Sequence, residues 1–300
     1  MAVIIDCDPG TDDALALLLA FASPELDIAA ITVAAGNVGL DRTLANARAI
    51  TAVAGARVPV FAGADRPLLG SYATAAHVHG DDGLGGLRLP DGAPAAAGIA
   101  ADAIRRVLRD AAEPVTIVGI GPATNLALAL LTERSLAAKV ARFVLMSGAW
   151  GAGNVTPAAE FNAFCDPEAL AAILALGRPV VFATLEVTAH ALLTPARLAS
   201  LATGSGAALR AACAIQASVP PSQRLGGVPL HDPCAVAWLL RPDLFTARPA
   251  RVSVDLGAAS RGRTNIERGC RPEQANATVL ETLDADGFFA LLAERLGRLP

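Results

Sequence analysis

Val3-Ile4-Ile5-Asp6-Cys7-Asp8-Pro9-Gly10-Thr11-Asp12-Asp13-Ala14 is the stretch that decides how the chain reads. An apolar run opens it, and four carboxylates follow within eight residues. Val3–Cys7 reads as a strand. Side chains at i and i+2 of a strand share a face, so Asp6 and Asp8 stand together at its carboxyl end. Pro9-Gly10 turns the chain, and Asp12-Asp13 begins an amphipathic helix that runs to Ala22. Taken singly, Asp12 reads as an N-cap for that helix. A cap needs one carboxylate, however, and the others repel each other at close range. A hard cation relieves such repulsion, and an all-oxygen shell selects calcium or magnesium over zinc.

Beyond this segment, short β-rich runs alternate with helical stretches. Strands are expected at Ile28–Val33, Val58–Phe61, Val115–Gly119, Arg142–Met146, Val180–Ala183 and Arg251–Val254. Helices are expected at Thr43–Ala54, Ile99–Ala111, Ala123–Leu131, Pro167–Leu176 and Asp286–Leu296. These spacings suit βαβ units, and strands apolar on both faces suit a sheet covered by helices on both sides. The fold expected is therefore α/β, an open and mainly parallel doubly wound sheet, in a single domain spanning 1–300. In such sheets ligands bind beyond the carboxyl ends of the strands. Residues 193–240 read as mostly helical, broken at Val219-Pro220-Pro221 and Gly226-Gly227.

Composition narrows the partners. The 300 residues are 53% hydrophobic and carry a net charge of −4, which gives no electrostatic reason to expect nucleic acid or an anionic membrane. Lysine occurs once, at Lys139. The five cysteines are scattered and odd in number, which argues against a disulfide framework and for a reduced, cytoplasmic protein. The apolar run from Ala14 to Ala22 is too short to span a bilayer.

Further polar groups follow other strands. Asn154, Glu160 and Asn162, with Phe161 between the last two, suit a hydroxyl-rich ligand such as a sugar, or an ordinary loop of Asx-turns. Asn37 fits a turn or a site equally. His231-Asp232-Pro233 opens a helix; Asp232 reads as a cap, and His231 as a general acid, a base contact or a surface histidine. His77-Val78-His79 has zinc-like spacing but no third ligand close by, and the glycines after it argue for a loop over a cleft. Trp150, Trp238 and His190 read as structural or lining residues.

Taken together, these segments resemble the inosine–uridine-preferring nucleoside hydrolase family. Asp6-Cys7-Asp8-Pro9-Gly10-Thr11-Asp12-Asp13-Ala14 matches its D-x-D-P-G-x-D-D-A hallmark in full. Gly36-Asn37, His79-Gly80-x-x-Gly83-x-Gly85, Gly121-Pro122-Ala123-Thr124-Asn125, Met146-Ser147-Gly148-Ala149, Glu160-Phe161-Asn162, Asp166-Pro167-Glu168 and His231-Asp232-Pro233 follow in the family's order. The resemblance implies hydrolysis of the N-glycosidic bond of ribonucleosides. It further implies a calcium ion held by Asp8, Asp13, Asp232 and the carbonyl of Ile120, with Asp8 as base toward the attacking water. The implied substrate contacts are Asp12, Asn37, His79, Met146, Asn154, Glu160, Phe161, Asn162 and His231, with His231 also the proton donor to the leaving base. A homodimer or homotetramer is implied as well. Tyrosines that family members place before the histidine–aspartate pair are missing here; Tyr72 is the sole tyrosine, and Gln216, Gln223 or Arg224 are the candidates to replace them. Two rival functions share the acidic motif: a magnesium-dependent phosphohydrolase, which usually also needs a lysine, and a non-catalytic calcium-dependent nucleoside-binding protein.

Overall fold

The computed structural model describes residues 1–70, 73–222 and 225–300. Its strands are β1 (Ala2–Cys7), β2 (Asp27–Val33), β3 (Val60–Ala62), β4 (Val115–Gly119), β5 (Val140–Met146) and β6 (Val180–Ala183). They continue with β7 (Leu192–Leu193), β8 (Val228–Pro229), β9 (Phe245–Val254), β10 (Thr264–Glu267) and β11 (Ala277–Leu283). Nine of them form one sheet in the order β10-β9-β11-β6-β5-β4-β1-β2-β3, while β7 and β8 pair separately. From β3 to β11 every neighbouring pair is parallel; β9 and β10 join antiparallel at one edge.

The apolar strands are two interleaved sets. Val3, Ile5 and Cys7 of β1 face one hydrophobic cluster and Ile4 faces the other; Val118 and Ile117 of β4 divide in the same way. Each cluster is closed by its own helices. Thr11–Phe21, Ala207–Ser218, Pro233–Leu240 and Ala285–Leu296 cover the first face, and Ala100–Asp110, Thr124–Thr132 and Pro167–Leu174 the second. The fold is thus the expected doubly wound α/β sheet. Thr11–Phe21 is buried from Thr11 through Ala20, as a helix apolar on all sides must be.

Sequence and structure part at the far edge. There β9 begins at Phe245 instead of Arg251, and neither β10 nor β11 was expected. The antiparallel edge carries Arg, Thr and Glu on its outer face and lacks the continuous apolar signature of a covered strand.

The chain turns back across β1 after β3, so β1 lies between β2 and β4. That reversal opens a crevice at the carboxyl ends of β1 and β4, the place where such sheets bind ligands. Asp8 follows β1 there, and Ile120-Gly121 follow β4.

Candidate active site

Asp8 sits in a slot made by two glycines. A Cβ at Gly36 would lie 2.0 Å from Asp8 Oδ2, and one at Gly121 would lie 2.6 Å from Oδ1. The Asn37 backbone N–H donates to Oδ2 at 2.7 Å, whereas Oδ1 is buried without a hydrogen-bond partner among the described residues. Asn37 also ties the loop together through Nδ2, which donates to the Asp8 carbonyl at 3.1 Å and to Asp13 Oδ2 at 3.0 Å. Asn37 is therefore a brace of the acidic loop as well as a cavity residue.

The N-cap of Thr11–Phe21 is Gly10, so Asp12 does not cap it. Asp13 accepts instead from the backbone N–H groups of Gly10 (2.9 Å) and Asp8 (3.2 Å). Asp232 does occupy the N-cap of Pro233–Leu240, but its side chain makes no capping bond. Asp12, Asp13 and Asp232 are buried and offer carboxyl oxygens within 4.8 Å of one another. This trio has Asp12 where the family resemblance implied Asp8, whose unpartnered oxygen lies in the adjoining slot. The Ile120 carbonyl borders the cavity and accepts from Asn162 Nδ2 at 3.0 Å.

Burial and then mutual repulsion hold Asp8, Asp13 and Asp232 above the ordinary carboxyl range. Asp13 is pushed up to about 7, by burial first and by Asp12 second. Asp8 and Asp232 are raised well above their ordinary value, again chiefly by burial, with Asp13 adding to Asp8 and Asp12 to Asp232. A divalent cation reverses this balance by paying for the buried negative charge. The donor set is all oxygen, which fits calcium or magnesium. Asp6 is raised to about 7 by burial, against the opposing bonds from Thr32 (2.6 Å) and Asn125 (2.9 Å). Its carboxylate links β1 to β2 and to the helix after β4, a bracing position beneath the site.

The opposite wall comes from the segment after β5. Glu160 caps the helix Phe161–Cys165, accepting from the N–H groups of Asn162 (2.8 Å), Ala163 (3.0 Å) and Gly148 (2.8 Å). Burial raises its pKa against those bonds. Asn162 Nδ2 also reaches the Met146 carbonyl at 3.1 Å, and Asn154 Oδ1 accepts the Phe161 N–H at 2.9 Å. The glutamate and two amides thus hold their own loop in shape while bordering the cavity.

Two histidines complete the wall. His231 Nδ1 lies 2.7 Å from Thr188 Oγ1, and His79 Nδ1 lies 2.8 Å from Thr11 Oγ1. Burial lowers the pKa of both. Gly80, Gly83 and Gly85, all at positive φ, carry the chain beyond His79. Asn46 clips that segment to the acidic loop, donating to the carbonyls of Pro9 (3.0 Å) and Asp82 (2.8 Å).

These residues enclose a cavity of about 390 Å³. Asp12, Asn37, His79, Ile120, Met146, Asn154, Glu160, Phe161, Asn162, His231 and Asp232 all line it, with Val219, Pro220, Val228 and Pro229 forming an apolar side. Asp8 and Asp13 are buried beside it. Gln216, a candidate for base contact, instead donates to the Thr11 carbonyl at 2.6 Å. Gln223, Arg224 and Tyr72 lie outside the described residues. Trp150 packs under Arg268 and Trp238 under Arg142, neither in the cavity wall. Lys139 donates to the Ala111 carbonyl, just before β5 begins and so at the opposite end of the sheet. Thr11, Asn46 and Thr188 carried no sequence signal, because each acts through a partner distant in the chain.

Sheet, crevice and acid cluster together define a doubly wound α/β protein with an oxygen-lined site for a hard cation and a small polar ligand. The chain belongs to the inosine-uridine preferring nucleoside hydrolase family, whose sequence model matches residues 3–290. The relatives it resembles are ribonucleoside hydrolases, and this chain is an enzyme of that activity. It is 42% identical to the pyrimidine-specific ribonucleoside hydrolase RihA of Salmonella schwarzengrund (strain CVM19633), over 99% of this chain and 98% of that one. A purine-preferring ribonucleoside hydrolase from Gardnerella vaginalis superposes with a TM-score of 0.89 at 30% identity, covering 99% and 98% of the two chains. The plant nucleoside hydrolase PpNRh1 does so with a TM-score of 0.89 at 31% identity, covering 98% of each. No helix among the described residues is long and apolar enough to cross a membrane.

Proposed function

We propose that the chain hydrolyses the N-glycosidic bond of ribonucleosides to free base and ribose, with calcium as its metal. The observation that carries this is the buried trio Asp12, Asp13 and Asp232 beside the unpartnered Oδ1 of Asp8. Asp8, Asp13 and Asp232, with the Ile120 carbonyl, would hold the ion. When bound, calcium supplies positive charge to the acid cluster and an adaptable oxygen shell for hydroxyls and water.

Asp8 takes the proton of the attacking water through its free oxygen, so orientation beside a base does most of the work. Asp12, Asn154, Glu160 and Asn162 grip the ribose hydroxyls, with Asn37 fixing the loop beneath them. Departure of the base leaves an oxocarbenium-like ribose, which the surrounding carboxylates stabilise. His231, oriented by Thr188, donates a proton to the leaving base; Phe161, Met146 and His79 border the nucleoside. The five unpaired cysteines support a reduced, cytoplasmic setting, and the family resemblance supports a homodimer or homotetramer.

The test is free ribose released from a panel of purine and pyrimidine ribonucleosides in calcium buffer. Release from one or more of them is expected. Phosphate release from phosphomonoesters without any ribose release would replace this reading with the phosphohydrolase; tight nucleoside binding without turnover would leave a binding protein.

A further inference from the structure

Resting on that reading of the cavity, we infer that Thr11 fixes His79 as the Nε2–H tautomer. His79 then meets the nucleobase as a hydrogen-bond donor, and the base must offer it a lone pair.

The two histidines of the wall are anchored differently. His79 Nδ1 receives two donors from one residue, the Thr11 backbone N–H at 3.1 Å and the Thr11 hydroxyl at 2.8 Å. A backbone N–H can only donate, so Nδ1 must present its lone pair and the ring proton resides on Nε2. The other tautomer would set two N–H groups against each other. Thr11 is also the first residue of the helix Thr11–Phe21, whose positive end disfavours a proton on Nδ1. Burial opposes the imidazolium more than Asp12 favours it.

His231 differs because its Nδ1 faces a hydroxyl, which donates or accepts with equal ease, and Thr188 Oγ1 has the Leu185 carbonyl at 3.2 Å as a second partner. Of these two histidines, His79 is the one held in a single tautomer by geometry. Its Nε2 has no protein partner among the described residues, and the ring lines the cavity. A neutral imidazole N–H beside a reacting group polarises that group without surrendering a proton. His79 thus stabilises charge building on the departing base as a hydrogen-bond donor, with no need to release its proton. Thr11 is the positioning residue, itself steadied by Gln216 at its carbonyl.

The test is long-range ¹H–¹⁵N correlation of the calcium-loaded enzyme labelled with ¹⁵N-histidine, with His79→Gln used to assign the ring. The expected pattern is Nδ1 in the unprotonated range and Nε2 in the protonated range. An Nδ1–H or imidazolium pattern overturns the inference, and this readout stands even if no nucleoside is turned over. In activity, Thr11→Val should lower kcat on a ribonucleoside about tenfold, the size of one lost hydrogen bond. It should lower turnover of p-nitrophenyl riboside far less, since that leaving group needs no help, and Thr11→Ser should restore the nucleoside rate. Thr11→Val keeps the backbone donor, so equal losses on both substrates, or no loss on either, would contradict a role for the Thr11 hydroxyl at the leaving base, while the ¹⁵N pattern tests the tautomer itself. Absence of ribose release by the wild type would instead count against the functional reading itself.

Discussion

Asn37 holds Asp8 by its backbone N–H, 2.7 Å from Oδ2, and so leaves the other carboxylate oxygen buried and unpaired. The bond exists because Gly36 lets β2's loop press against Asp8 where any Cβ would collide. Gly36→Ala should therefore displace the loop, lowering kcat by on the order of 10²-fold with a measurable fall in Tm. Asn37→Ala should cost about 10- to 100-fold in activity or calcium affinity, the usual penalty for losing a brace of a metal ligand. Steady-state kinetics at varied calcium reads both; wild-type behaviour of either variant would deny the brace.

Asp232 stands at a helix N-cap but leaves the cap unused, and Pro233 already suits the first helical position. Removing its carboxylate should leave the metal-free protein as stable as before or more so, since a buried acid whose ionisation burial and Asp12 oppose disappears. Asp232→Asn should lose most of the stabilisation that calcium gives the wild type. Thermal unfolding with and without calcium separates the two effects. A variant destabilised equally in both conditions would assign Asp232 to the helix alone.

The acid cluster predicts opposite pH slopes with and without metal. Asp6 and Asp13 titrate near 7 when folded, against an ordinary value of 3.8. Between those values the folded state binds more protons than the unfolded chain, so stability falls as pH rises from about 4 to about 7. Chelated protein should thus gain Tm when acidified from pH 7.5 to 5.5. Calcium-loaded protein should lose Tm over the same interval, because protons compete with the ion for the same oxygens. Parallel slopes would place the raised carboxyls away from the metal.

Glu160 and Asn162 border the cavity as buried polar groups and Asn154 as an exposed one, and on the proposed reading all three face the ribose. A sugar lacking one hydroxyl leaves such a group unpaired, and discrimination of this kind reaches on the order of 10⁴-fold. 2′-Deoxyribonucleosides should accordingly show kcat/KM lower by about that factor than the matching ribonucleosides. Comparable rates would remove the ribose-gripping role from this wall.

Most of the sheet was legible because β1, β2, β4, β5 and β6 are apolar on both faces, and such runs announce themselves. At the β9–β10–β11 edge, Pro249 and a string of arginines break the apolar pattern, and pairing between distant segments decides what forms. In the site, Asp8, Asp12 and Asp13 share one short motif and stand out from sequence spacing alone. Asp232 joins them only through the fold. The role of Asp6 was illegible because Thr32 and Asn125 define it, and Thr11 looked like filler between carboxylates until His79 arrived from 68 residues away.

Ribose release from uridine and inosine, measured after chelation and then during calcium add-back, tests the central claim most directly. Activity should vanish on chelation and return with calcium for the wild type, and Asp8→Asn should stay at least about 10²-fold below it at every calcium concentration. Ribose release that survives chelation, or an Asp8→Asn enzyme as fast as the wild type, would contradict a calcium-assisted hydrolysis with Asp8 as its base.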